Sequence, residues 1–112
     1  MSENIIDVTA ENFEKEVIEK SKEKPVIVDF WAEWCTPCLI LKPILEKVVK
    51  EYEGKVILAK VNVTNNQQLA MKYGVMSIPN VKMFKNGKIV GEFVGAVPEP
   101  VLREWIEKNL RD

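Results

Sequence analysis

The sequence has no histidine among its 112 residues and only two cysteines, Cys35 and Cys38. Without an imidazole there is no His-based catalytic triad, no histidine proton shuttle and no Cys/His zinc site. Two thiolates are half of what zinc takes, so a metal or iron–sulfur centre would need a second subunit or carboxylate help. Net charge is nearly absent too, since 16 Lys and Arg against 17 Asp and Glu leave -1. That balance gives no electrostatic reason to expect nucleic acid or an anionic membrane as partner. No apolar run approaches the length that crosses a bilayer. Met1-Ser2-Glu3-Asn4 lacks both the basic and the apolar region of a signal peptide. Repeats, linkers and low-complexity segments are missing as well. These absences lead to the expectation of one domain over residues 1–112, cytoplasmic and monomeric, with no metal and no bound cofactor. In the cytoplasm a structural disulfide is unusual, and a CxxC pair points to redox or metal chemistry.

What is present is concentrated in Val26-Ile27-Val28-Asp29-Phe30-Trp31-Ala32-Glu33-Trp34-Cys35-Thr36-Pro37-Cys38, which holds both cysteines and two of the three tryptophans. Its first half reads as a buried strand, apolar and rich in β-branched and aromatic residues. Its second half reads as the turn into a helix, with Pro37 in the first turn, where a missing N–H costs nothing. Cys35 then sits where unpaired N–H groups and the positive end of the helix dipole favour negative charge. Its thiol should ionise more readily than a free cysteine, and the thiolate is the form that attacks disulfides. Cys38, one turn later on the same face, is placed to close an intramolecular disulfide. Asp29 shares a strand face with Ile27 and Trp31. A carboxyl there should be desolvated and its pKa raised, which suits proton exchange with a thiol near neutral pH.

The other elements follow from pattern. Ile5 to Val8 is a short strand, with Thr9 as helix N-cap. Ala10 to Ser21 is helical, burying Phe13 and Val17 with Ile18 beside them, and carrying Glu11–Lys15 and Glu16–Lys20 pairs outside. The helix from Cys35 to Tyr52 presents Leu39, Leu41, Ile44, Leu45 and Val48 or Val49, and Pro43 should kink it. Gly54 ends it. Val56 to Val63 is the next strand, apolar enough for a sheet covered on both faces. Thr64-Asn65-Asn66 leads into a short helix, Gln67 to Tyr73, ended by Gly74. A loop over Val75 to Pro79 enters a strand, Val81 to Phe84. Asn86-Gly87 joins that strand as a hairpin to Ile89–Val94, which Gly95 breaks. Pro98 or Pro100 opens a last helix with Val101, Leu102, Trp105, Ile106 and Leu110 inside. Strand–helix units require parallel strands and the hairpin requires an antiparallel pair, so the pattern gives an α/β chain with a mixed sheet between helices.

The run Phe30-Trp31-Ala32-Glu33-Trp34-Cys35-Thr36-Pro37-Cys38 resembles the active-site motif of the thioredoxin family, and the likeness extends over nearly the whole chain. It implies a three-layer fold, a five-stranded mixed sheet flanked by four helices, with the cysteines at the end of a central strand. It implies a protein-disulfide reductase in which Cys35 attacks a substrate disulfide and Cys38 resolves the mixed disulfide. The redox-active Cys35–Cys38 disulfide would be restored by a flavin- or iron–sulfur-dependent reductase. Asp29 matches a buried aspartate proposed to move protons to and from the second cysteine. Lys60 matches a lysine near that acid; it reads either as a buried charge partner or as a snorkelling lysine at an edge. Trp34 matches a tryptophan that covers the nucleophile, while Trp31 reads as core. Ile78-Pro79 matches a cis-proline loop packed against the cysteines, which would free the Ile78 backbone for an extended substrate strand. Val75, Met76, Gly95 and Ala96 would complete an apolar rim.

Thr36-Pro37 replaces the family's commoner Gly-Pro, leaving the redox potential open. Asn80 stands where a threonine commonly follows the proline. The lack of a histidine between the cysteines differs from oxidising relatives and favours reduction. Two other readings stay open here: a thiol oxidase or isomerase, separated by the potential of the pair, and a binding subunit in which the thiols are incidental.

Overall fold

A computed structural model describes residues 3–111 of the chain; Met1, Ser2 and Asp112, which the single-domain expectation includes, lie outside the described residues. Five strands, β1 (Ile5–Asp7), β2 (Val26–Trp31), β3 (Ile57–Asn62), β4 (Asn80–Lys85) and β5 (Lys88–Val94), form one sheet in the order β1-β3-β2-β4-β5. β1 and β2 run parallel to β3, while β4 is antiparallel to both β2 and β5. The helices are α1 (Thr36–Glu51), α2 (Gln67–Lys72) and α3 (Glu99–Arg111), preceded by a helical segment between β1 and β2. The mixed sheet and four helices agree with the expected fold.

Strand alternation divides the core into two layers. Val26, Val28 and Phe30 of β2 pack with Phe13, Val17, Leu69 and Ala70 on one face. Ile27, Leu58 and Val81 pack with Leu41, Leu45, Val48, Leu102 and Ile106 on the other. β2 is therefore covered on both sides, which is why its sequence is apolar at nearly every position. By the same parity, Asp29 and Lys60 fall on the α1/α3 face, in register with each other across β2 and β3. The β4–β5 turn has Asn86 at φ +53° and Gly87 at φ +80°. Two successive positive values match the right-handed twist of the flanking strands, and Asn-Gly tolerates them.

Several expectations are corrected. The first helix does not run regularly from Ala10. Thr9 and Asn12 close a turn, with the Thr9 N–H donating to Asn12 Oδ1 and the Glu11 N–H donating to Thr9 Oγ1. A π-helical stretch then covers Glu14–Glu19 and a 3-10 turn covers Lys20–Lys22. The buried residues Phe13, Val17 and Ser21 keep the inward face, and so short an apolar pattern cannot report how widely the backbone is wound. Among the described residues, the ion pair on this segment is Glu19–Lys22, not Glu11–Lys15 or Glu16–Lys20. Leu39 and Val101, assigned to inner faces, are about half exposed, because α1 and α3 each touch the sheet along a stripe narrower than their apolar content. Val63 leaves the strand for a 3-10 turn, Val63–Asn65. α1 extends through Pro43 without ending there, and Pro43 leaves one backbone N–H missing from the helix interior.

Candidate active site

The strand-to-helix junction places the cysteines. Cys35 is the N-cap of α1, with φ -96° and ψ 105°, and its sulfur accepts a hydrogen bond from the Cys38 N–H at 3.2 Å. Pro37 has no N–H to offer, so among the first-turn donors that of Cys38 meets the sulfur. In the reduced state the same donor and the helix dipole stabilise negative charge on Cys35. The two cysteines are joined as a disulfide with their Cα atoms 5.3 Å apart. Both are buried, Cys35 at 5% exposure and Cys38 at 1%. In this oxidised state Trp31, Val63 and Ile78 pack around the sulfurs and Ala32.

Trp34 lies 68% exposed beside this junction. Its indole Nε1–H donates to Thr64 Oγ1 at 3.3 Å. Thr64 in turn donates through its hydroxyl to Glu33 Oε1 at 3.4 Å, and the Asn62 amide donates to Glu33 Oε2 at 2.8 Å. The loop after β3 therefore ties down the loop after β2. Sequence reasoning did not single out Glu33, Asn62 or Thr64; the turn residues Thr64-Asn65-Asn66 were legible as helix punctuation but not as an anchor for the indole.

Asp29 is 3% exposed, and among the described residues its Oδ1 has no hydrogen-bond partner. Burial pushes its pKa up to about 7, against an attraction to Lys60 that lowers it and a repulsion from Glu46 that raises it. Lys60 does not settle on Asp29. Its ammonium bonds Glu46 Oε2 at 3.1 Å and lies 5.6 Å from the Trp31 ring centroid. β3 lies between β1 and β2, so the edge-lysine reading fails. The charge-partner reading is modified, because the direct partner is Glu46, a residue sequence reasoning missed. Its only signal was position, on the flank of the buried stripe Cys38, Leu41 and Leu45.

The Ile78–Pro79 peptide is cis, and the Ile78 carbonyl oxygen is 3.8 Å from Cys35 Sγ. The Gly95 N–H donates to the Pro79 carbonyl at 2.8 Å, so Gly95 and Ala96 sit beside this loop. Thr36 and Pro37 are exposed at the start of α1. Asn80 is 3% exposed and contributes no surface to the rim, whereas Val75 is half-buried, with one side packed against the core. Met76, 92% exposed, lies with Met71, Gly74 and Val75 in one shallow apolar cleft. Met71 also borders a second, with Trp34, Val63, Thr64, Gln67 and Ala70. An apolar track thus runs from Trp34 to Met76, and Met71, which no pattern picked out, joins its halves. Among the described residues no group of three or more His, Cys, Asp or Glu could hold a metal ion. Among them, too, no helix is long and apolar enough to cross a membrane.

Comparison with known proteins gives a consistent result. The family model described as Thioredoxin matches residues 4–108. A protein named Thioredoxin C-2 from Corynebacterium nephridii is 44% identical over 110 residues, covering 98% of this chain and 100% of that protein. Thioredoxin of Pseudomonas aeruginosa is 40% identical over 110 residues, 98% of this chain and 100% of its own. Thioredoxin of Rickettsia bellii is 45% identical over 104 residues, covering 93% of this chain and 97% of its own.

Proposed function

The chain belongs to the thioredoxin family, and from that premise we propose how its residues divide the work. It is a protein-disulfide reductase that cycles between a dithiol and the Cys35–Cys38 disulfide. Cys35 is the nucleophile. As thiolate it attacks one sulfur of a substrate disulfide; a Cys35–substrate bond forms and the other substrate sulfur leaves as thiolate. Cys38 then gives up its proton and attacks Cys35 Sγ. The Cys35–Cys38 bond forms, the second substrate thiolate leaves, and two electrons have passed from the dithiol to the substrate.

Asp29 takes the proton from Cys38. A carboxyl that titrates at about 7 accepts and returns a proton at the pH where the cycle runs. Its place supports this, since it shares the α1-facing side of β2 with Ile27, which packs on the α1 stripe beginning at Cys38. Trp34, Met76, Ile78, Pro79, Gly95 and Ala96 receive the substrate, which runs extended past the Ile78 backbone. Thr36 and Pro37 set the potential of the pair, and Lys60 tunes Asp29. Residues 1–112 act as one domain, a monomer in the cytoplasm, with electrons carried on the cysteine pair alone. A flavin- or iron–sulfur-dependent reductase restores the dithiol.

The observation that carries these assignments is the hydrogen bond from the Cys38 N–H to Cys35 Sγ, which marks Cys35 as the sulfur stabilised as an anion. The test is reduction of insulin by dithiothreitol with catalytic amounts of the protein. The intact protein should accelerate it and Cys35→Ser should not. A Cys38→Ser variant should accumulate a covalent adduct with substrate through Cys35. An adduct through Cys38 in the Cys35→Ser variant, at equal rate, would reverse the assignment.

A further inference from the structure

Two carboxylates compete for one ammonium beside the site. Asp29 and Lys60 are directly opposed in parallel strands, and such neighbours are about 5 Å apart, within easy reach of a lysine chain. Even so, Lys60 Nζ lies 3.1 Å from Glu46 Oε2 and makes no bond to Asp29. The lysine and glutamate side chains are 13% and 23% exposed, so the pair keeps contact with water, whereas Asp29 is almost fully enclosed. We propose that Glu46 is a positioning residue: by holding the Lys60 ammonium it keeps Asp29 free of a cationic partner, and so able to take up and release a proton. This rests on the reading of Asp29 as proton carrier.

The groups around Asp29 leave little else to do this. β3 offers Lys60, and α1 offers Glu46 and the disulfide-bonded Cys38. From β4 the same-face neighbours are Val81 and Met83, which are apolar, and α3 contributes Leu102 and Ile106 to this layer. The two charges that act on Asp29 are thus opposite and bonded to each other. Removing Glu46 would leave Lys60 between two acids in register with it, the exposed Asp7 on β1 and the enclosed Asp29 on β2, and an ion pair with Asp29, the one shielded from water, would replace a neutral carboxyl. Asp29 would then hold its charge instead of accepting the Cys38 proton.

The experiment follows the Asp29 carboxyl carbon by NMR through a pH titration of the oxidised protein, in the parent, Glu46→Gln, Lys60→Met and the double variant. Glu46→Gln should weaken proton binding at Asp29 tenfold or more. In the Lys60→Met background the same substitution should change it less than threefold, because the effect passes through the ammonium. An unchanged midpoint, or an equal shift in both backgrounds, overturns the proposal. If Glu46→Gln does not fold, Glu46→Asp carries the test, its carboxylate one methylene further from the lysine. The pH–rate profile for insulin reduction separates the two readings. A titration that moves while the profile stays supports Glu46's positioning and removes Asp29 from the proton path. A midpoint that stays put overturns the Glu46 proposal whatever the profile does.

Discussion

Replacing Asp29 with asparagine should stabilise the oxidised protein at pH 8 and leave it nearly unchanged at pH 4. Asparagine stands in for the protonated carboxyl, so the comparison isolates the cost of the buried charge. The folded protein holds the Asp29 proton up to about 7, whereas the unfolded chain releases it near the ordinary value of 3.8. Between those values the unfolded state binds fewer protons, so the parent loses stability as pH rises through the window and loses no more above it. At 1.36 kcal/mol per tenfold change in proton affinity, that gap costs about 4 kcal/mol. For a domain of this size the variant's Tm should rise by roughly 15 °C at pH 8. The assay is urea unfolding of parent and variant at one-unit steps from pH 4 to pH 8, with the cysteine pair kept oxidised. The difference should open across that range and plateau above pH 7. A difference constant with pH, or one that grows toward acid, would refute the assignment of Asp29 as a desolvated carboxyl.

Two further outcomes follow from contacts elsewhere. A β-carbon added at Gly91 would overlap the amide of Asn109. That amide is buried and donates to the Trp105 carbonyl at 2.8 Å. Gly91→Ala should therefore destabilise the fold by about 1–3 kcal/mol in urea unfolding, and a neutral result would mean that α3 shifts freely on β5. Thr64→Val removes the acceptor of the Trp34 indole. The KM for a protein disulfide should rise roughly two- to fivefold, the equivalent of one modest hydrogen bond, with kcat unchanged. A fall in kcat instead would place Trp34 in the chemical step rather than in substrate docking.

Much of the fold was legible because its signals are local. Alternation in β2 and β3, Asn86-Gly87 in the hairpin and Pro37 at the start of α1 each depend on a few adjacent residues, and each reappears in place. The first helix was misread for the complementary reason. Winding is set by which turn lets Phe13 meet Tyr73 and Phe84, at ring-centroid distances of 5.1 and 5.8 Å, and those residues are far away in sequence. Leu39 shows the same limit, since a side chain on a helix is buried only if another element arrives to cover it. The Ile78–Pro79 peptide was expected to be cis on resemblance alone.

The sequence by itself determined the chemistry. Two cysteines at one helical turn, an acid inside an apolar strand and no histidine equip the chain for dithiol–disulfide exchange through residue identity and spacing, and the family resemblance favoured that activity over a binding role. Tertiary structure decided the electrostatics. That Lys60 bonds Glu46 rather than Asp29 depends on a helix crossing the sheet at one height and angle, and that the Trp34 indole is tethered depends on two loops meeting. Coulomb energy and hydrogen bonding act over a few ångströms in space. Residues far apart along the chain acquire those distances only when it folds.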